Sequence, residues 1–190
     1  MGFGIAQTLV RAGVETIGCD LRQELLDELE AAGGMPVSSP GDIDADCDAI
    51  LVVVVNDDQA KSVIFGHDSG DIEQLFEDDG VAHHLDPGAV VLGCSTVPPD
   101  YARRCAQRLD EHGIYYLDAP ISGGAAKAAT GELSVMASGT PDAFDRAGPV
   151  LDAIAEAVHR LGDSPGVGST FKMINQLLAG VHIAVASEAM

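Results

Sequence analysis

Two rhythms of apolar and polar residues run along this chain. After Gly2, the residues Ile5, Ala6, Leu9 and Val10 recur at helical spacing, and Gly13 is a natural C-terminal stop. Val14 to Cys19 reads as a strand closed by Asp20. Gln23 to Ala32 reads as a second helix with Leu25, Leu26 and Leu29 turned inward, ended by Gly33 and Gly34. Met35 to Val37 fits a short strand. Ala49 to Val55, AILVVVV, is the strongest strand signal, and its unbroken apolar character predicts cover on both faces, as in a parallel sheet. Asp57 to Phe65 has helical spacing, and residues 66–86 are polar and looser.

Pro87 and Gly88 turn the chain into a strand from Ala89 to Cys94. Pro98 to His112 is the next helix, with proline at its start, where a missing N–H is harmless. Ile114 to Leu117 and Leu133 to Ala137 are strands. A helix runs from Pro141 towards Ala155, with Gly148-Pro149 as a candidate break. Val158 to Leu161 is a last short strand, and Ser169 to Met190 forms one long helix. Strands alternating with helices predict an α/β fold with a doubly wound, mostly parallel sheet. Such a sheet binds ligands beyond the carboxyl ends of its strands.

Composition narrows the function. The chain has 190 residues, 46% of them apolar, which suffices for one ordinary domain or one plus part of a second. Thirty acidic residues face ten basic ones, a net charge of −20, so nucleic-acid and membrane-surface binding are disfavoured. The acids are scattered (Glu24, Asp27, Glu28, Asp42, Asp44, Asp46, Asp78, Asp79) and read as a solvated surface, of a kind eased by high salt. No segment reads as a bilayer span or a signal peptide. Cys19, Cys47, Cys94 and Cys105 show neither metal-ligand spacing nor a paired pattern, which predicts reduced thiols in a cytoplasmic protein. No metal site is expected.

Three features carry candidate chemistry. Asp20 closes a strand that follows a glycine-started helix, where a dinucleotide fold places the acid that binds the ribose hydroxyls; it is equally readable as a helix N-cap. Its charge favours NAD over NADP, and Arg22 two residues on softens that preference. A G-x-G-x-x-G fingerprint is absent, since no strand precedes Gly2-Phe3-Gly4. The second feature is Ser122-Gly123-Gly124, readable as a turn or as an anion-binding lip of bare backbone N–H groups. The third is the last helix, which carries only Lys172 and Glu188 as formal charges and is therefore expected to be largely buried. Lys172, Asn175, Gln176 and Ala179 share one face of it. That stripe is readable as the outer side of an amphipathic helix, or as an acid–base site whose desolvated lysine has a lowered pKa.

The chain resembles the β-hydroxyacid dehydrogenase family, which includes 3-hydroxyisobutyrate dehydrogenase and, more distantly, 6-phosphogluconate dehydrogenase. The resemblance lies in the opening MG, RAG and CD, in VVVVN, CSTVPP and DAPISGGAAKAATGELSVMASG, and in GSTFKMINQLLAG. Within the family it leans to the branch that acts on L-threonate. Two departures stand out: Val55-Asn56 replaces a Leu-Pro pair, and Gln176 follows Asn175 where most relatives carry a second asparagine.

The resemblance implies a Rossmann-like sheet without its first strand over residues 1–165. Residues 166–190 would begin an interdomain helix leading to an all-helical domain. It implies NAD as cofactor, with NADP second, held by Gly2, Asp20, Val55, Asn56 and Thr96. Ser122, Gly123 and Gly124 would bind the substrate, and Lys172, Asn175 and Gln176 would serve catalysis. The implied reaction oxidises a hydroxyl of a small hydroxy acid, L-threonate or a similar four-carbon sugar acid. The alternatives are 3-hydroxyisobutyrate, tartronate semialdehyde, or a non-catalytic dinucleotide-binding remnant. The full-length protein would be a homo-oligomer, and these 190 residues alone would turn over poorly.

Overall fold

A computed structural model describes residues 1–66 and 80–190. Asp78, Asp79 and most of the polar stretch 66–86 therefore lie outside the described residues. The element order is α1 (Gly2–Arg11), β1 (Ile17–Cys19), α2 (Gln23–Ala31), β2 (Met35–Val37), β3 (Ala49–Val52), α3 (Asp57–Phe65), β4 (Val90–Gly93), α4 (Pro99–Asp110), β5 (Tyr115–Asp118), β6 (Ile121–Ser122), α5 (Gly124–Thr130), β7 (Leu133–Ala137), α6 (Pro141–Ile154), β8 (Ala155–Arg160) and α7 (Val167–Ala189). The ladders run β1–β2, β3–β4–β5 and β6–β7–β8, all parallel except β6 against β7. A single bridge between Asp118 and Ser138 joins the ends of β5 and β7.

β4 is central and buried along its whole length, and its side chains alternate between two cores. Val90 and Leu92 pack with Ile5, Leu9, Leu117, Val135, Phe144 and Leu151 on one face. Val91 packs with Ile50, Val52, Ile64, Phe65, Tyr101 and Leu109 on the other. Cover on both faces is what makes the fold doubly wound, and each such fully buried aliphatic side chain contributes about 1.5–3 kcal/mol.

Besides shifted ends of β1, which begins at Ile17 and not Val14, and of β8, which begins at Ala155 and not Val158, the structure departs from the periodicity in four places. β3 ends at Val52, and Ala49 and Leu51 are only half-buried. Beyond Val52 the backbone leaves the ladder because Ser95 Oγ accepts the Val54 N–H at 3.0 Å and Gln59 Oε1 accepts the Val55 N–H at 2.9 Å. Val55 is consequently exposed. α6 runs without a break through Gly148 and Pro149. Third, β6 and α5 follow Pro120 where the pattern gave only a turn or a lip. Finally, α7 is not largely buried: only Gly168, Ser169 and Lys172 are, and Phe171, Met173, Ile174, Leu177 and Leu178 are exposed. The scarcity of charge on α7 reflects an apolar surface, not cover by the rest of this chain.

Candidate active site

The first turn of α1 points its N-terminus at the carboxyl end of β3. The first intrahelical bond runs from the Ile5 N–H to the Met1 carbonyl, and no side chain caps the helix. The amides ahead of it thus keep free donor capacity, a setting that favours an anion. A cavity of about 350 Å³ opens there, lined by Gly2, Gly4, Gln7, Asp20, Arg22 and Val53 among others. A Cβ on Gly2 would sit 3.5 Å from Val53, an ordinary contact. A Cβ on Gly4 would meet the backbone of Ala128 and Ala129 at 3.0–3.2 Å, so Gly4 is the residue that lets α1 and α5 approach. The sequence pattern, which offers Gly4 only as part of an incomplete glycine fingerprint, carries no sign of this contact.

Asp20 does not cap α2; Arg22 occupies the N-cap. The Asp20 carboxylate instead grips Arg22. Its Oδ1 accepts from the Arg22 backbone N–H and from Nε, both at 3.0 Å, and its Oδ2 accepts from Nη2 at 2.9 Å. The Arg22 guanidinium holds the Asp20 carboxyl below the usual carboxylate range.

Along the sheet edge, Asn56 caps α3 by accepting the Gln59 N–H at 2.9 Å. Ser95 links the ends of β3 and β4, and Thr96 beside it is half-buried. Asn56 and Thr96 thus follow the carboxyl ends of adjacent strands, the position a sheet-edge ligand requires.

Asp118 ends β5 and is fully buried, yet well satisfied. Its Oδ2 accepts from the Gly166 N–H at 2.8 Å, the Ser169 N–H at 2.9 Å and Ser138 Oγ at 3.2 Å, and Oδ1 accepts from Ser169 Oγ at 2.6 Å. Ser138 Oγ in turn accepts the Gly168 N–H at 2.9 Å. A carboxylate at the N-terminus of α7 also complements the helix dipole. One acid thereby fixes the first turn of the helix that carries Lys172. The sequence signal for this cluster is a polar Asp at the end of an apolar strand together with Ser169 ahead of the lysine.

Lys172 lies one turn beyond Gly168 and is 7% exposed. Its Nζ donates to the Ile121 carbonyl at 2.8 Å, one residue before Ser122. Burial pushes its pKa below the ordinary lysine value. The structure therefore brings Lys172 to the Ser122-Gly123-Gly124 segment. Gly123 and Gly124 have φ of +135° and +75°, which L residues avoid. A Cβ on Gly123 would strike Lys127 at 2.9 Å, whereas one on Gly124 would meet open space. Lys127 itself pairs with Glu156 at 3.0 Å. Asn175 and Gln176 are exposed on the next turn of α7. Among the described residues no cluster of three or more metal-ligating side chains occurs, and no helix is long and apolar enough to cross a membrane.

This geometry has clear relatives. Residues 1–162 match the family described as the NAD binding domain of 6-phosphogluconate dehydrogenase. An L-threonate dehydrogenase from Cupriavidus necator is 48% identical over 190 residues, covering all of this chain and 60% of that protein. An NAD-dependent L-serine dehydrogenase from Pseudomonas aeruginosa is 34% identical over 191 residues, with 100% and 60% covered. The crystal structure of a 3-hydroxyisobutyrate dehydrogenase from Salmonella typhimurium superposes with a TM-score of 0.90 at 45% identity, over 100% of this chain and 62% of that one. The chain thus spans about 60% of the length of the curated relatives it matches. The α1 cleft, the acid at the end of β1 and the two-faced parallel sheet are the parts such a domain needs, and the chain belongs to the family of NAD-binding domains typified by 6-phosphogluconate dehydrogenase.

Proposed function

We propose that this chain is the cofactor-binding and proton-transfer part of a dehydrogenase that oxidises a hydroxyl of a small hydroxy acid, L-threonate or a close four-carbon sugar acid. The observation that carries the reading is Lys172, a buried amine of lowered pKa held 2.8 Å from the Ile121 carbonyl beside the Ser122-Gly123-Gly124 segment. The 48% identity to an L-threonate dehydrogenase supports the substrate class.

In this reading residues 1–165 hold the dinucleotide and residues 166–190 carry the acid–base group. The free amides at the start of α1, from Gly2 onward, face the pyrophosphate, and Asp20 faces the adenosine ribose. Val55, Asn56 and Thr96 border the nicotinamide half. When bound, the nicotinamide supplies a two-electron acceptor against the substrate carbon. Ser122 Oγ and the N–H groups of Gly123 and Gly124 bind the substrate carboxylate. Neutral Lys172 takes the hydroxyl proton, and Asn175 and Gln176 orient the polar substrate. The exposed apolar residues of α7 support a homo-oligomer, and four free cysteines support a cytoplasmic setting.

A substrate panel tests this. L-Threonate with NAD+ is expected to give the highest kcat/KM, ahead of 3-hydroxyisobutyrate, with tartronate semialdehyde tested in the reverse direction with NADH. Lys172→Ala is expected to lower kcat by about 10²–10⁴-fold. Equal and measurable activity of Lys172→Ala and the parent protein would overturn the assignment.

A further inference from the structure

On the reading above, the Ser122-Gly123-Gly124 lip must hold a carboxylate at a set distance from Lys172. Adjacent glycines are the least stiff part of a chain, so the lip keeps its shape only if something holds it. The two glycines have different surroundings. A Cβ on Gly124 would meet nothing within 4 Å, and that side is open to a ligand. The side-chain position of Gly123 is already filled. A Cβ there would lie 2.9 Å from Lys127 Cβ, 3.1 Å from Lys127 Cδ and 3.2 Å from Leu133 Cδ2. The aliphatic stem of Lys127 therefore lies against the lip. Its ammonium runs on to Glu156 Oε2 at 3.0 Å.

An irregularity in the sheet sets the place of Glu156. β7 and β8 pair Leu133 with Ala155 but Ser134 with Ala157, which leaves Glu156 as one extra residue in β8. A bulge of this kind re-aims a side chain. On its other edge β7 pairs with the lip itself, Ser134 against Ser122 of β6. Lys127 of α5, Leu133 of β7 and Glu156 of β8 thus form one connected set that ends on Gly123. The Lys127 and Glu156 side chains are 49% and 64% exposed, and an exposed ion pair adds little to the stability of a fold. What it does set is the position of what it touches.

We propose that Lys127 and Glu156 are positioning residues for the substrate carboxylate. They form a strap that fixes the Gly123 turn, so that Ser122 Oγ and the N–H groups of Gly123 and Gly124 keep the spacing of one carboxylate. The strap acts on the lip alone, because Lys172 is held separately, by the Ile121 carbonyl. Loss of the strap weakens substrate binding and leaves proton transfer in place.

Titration of the 15N-labelled full chain with L-threonate, followed by NMR at the Gly123 and Gly124 amides, tests this without turnover. Lys127→Ala, which removes stem and charge together, is expected to weaken L-threonate by about tenfold. Lys127→Met and Glu156→Gln keep the stems and lose the pair, and each is expected to weaken it by about two- to fivefold. The double variant is expected to be no weaker than either alone, since both remove one interaction. Lys127→Arg restores the affinity. Thermal unfolding by circular dichroism is expected to move by less than about 4 °C in Lys127→Met and Glu156→Gln. In steady-state kinetics the change falls on KM, with kcat and the lysine limb of the pH profile kept. Parent-like affinity in folded Lys127→Ala, or additive losses in the double variant, overturns the strap and leaves the lip standing. Failure of the folded parent chain to shift at Gly123 and Gly124 with L-threonate, 3-hydroxyisobutyrate or tartronate semialdehyde overturns this proposal together with the substrate reading beneath it.

Discussion

Lys172 keeps an ammonium-bearing side chain in a place that water scarcely reaches. Its folded-state pKa lies below its unfolded value, so the folded state holds the proton less tightly. The destabilisation is present at low pH and is relieved as pH rises through the lowered pKa towards the unfolded one. In the proposed role activity has the same sign, because a general base must be neutral. The pH profile of kcat/KM is expected to rise with a midpoint below the ordinary lysine range. Lys172→Arg, which stays protonated, is expected to abolish that limb. In the proposed mechanism Asp118 acts through Lys172, as a positioning residue. Asp118→Asn puts an amide N–H among four donors and is expected to cost about 2–4 kcal/mol in chemical denaturation. Because it loosens the first turn of α7, it is also expected to shift the lysine limb of the pH profile, which a merely structural acid would leave in place.

At the scale of elements, the decisive contact is the approach of α7 to the ends of β5 and β7. Gly168 sits in that seam. A Cβ there would lie 2.3 Å from the Met136 carbonyl oxygen and 2.8 Å from that of Asp118, both backbone atoms that cannot step aside. Gly168→Ala is therefore expected to push α7 outward, costing about 1–3 kcal/mol, and to lower kcat more than it raises KM. Gly4 plays the matching part between α1 and α5. There Thr8 Oγ1 also donates to the Ala128 carbonyl at 3.0 Å, so the cofactor cleft and the Ser122 segment are braced against each other.

The whole molecule carries −20 of formal charge on 190 residues, and among the described residues Arg22–Asp20, Arg103–Asp100 and Lys127–Glu156 form ion pairs that answer part of it. Self-repulsion of that size weakens the compact state and is screened within about 10 Å at 0.1 M salt. Thermal unfolding followed by circular dichroism is expected to show Tm rising from low to molar NaCl. A Tm independent of salt would show that the acids are too well spread to repel. The cysteine thiols add no charge at neutral pH, since burial pushes Cys94 and Cys105 up to about 12 and Cys19 to about 11. Near-absence of reaction with iodoacetamide at pH 7 in the folded protein checks this.

The sequence by itself determined the order of helices and strands apart from β6 and α5, the two-faced sheet and the segments that bear chemistry. Those follow from local periodicity: residues such as Val90, Val91 and Leu92 must turn to opposite faces of a strand, and Asp20 must follow the strand it ends. Motif resemblance added the family and the candidate role of Lys172. Only the tertiary structure decided what each polar group meets. Asp20 is gripped by Arg22, Asn56 caps a helix, Asp118 gathers the start of α7, and Gly4 rather than Gly2 is the tight glycine. The exposure of α7 and the early end of β3 were likewise out of reach of the pattern. Composition records how apolar a segment is, but burial depends on which distant segments pack against it.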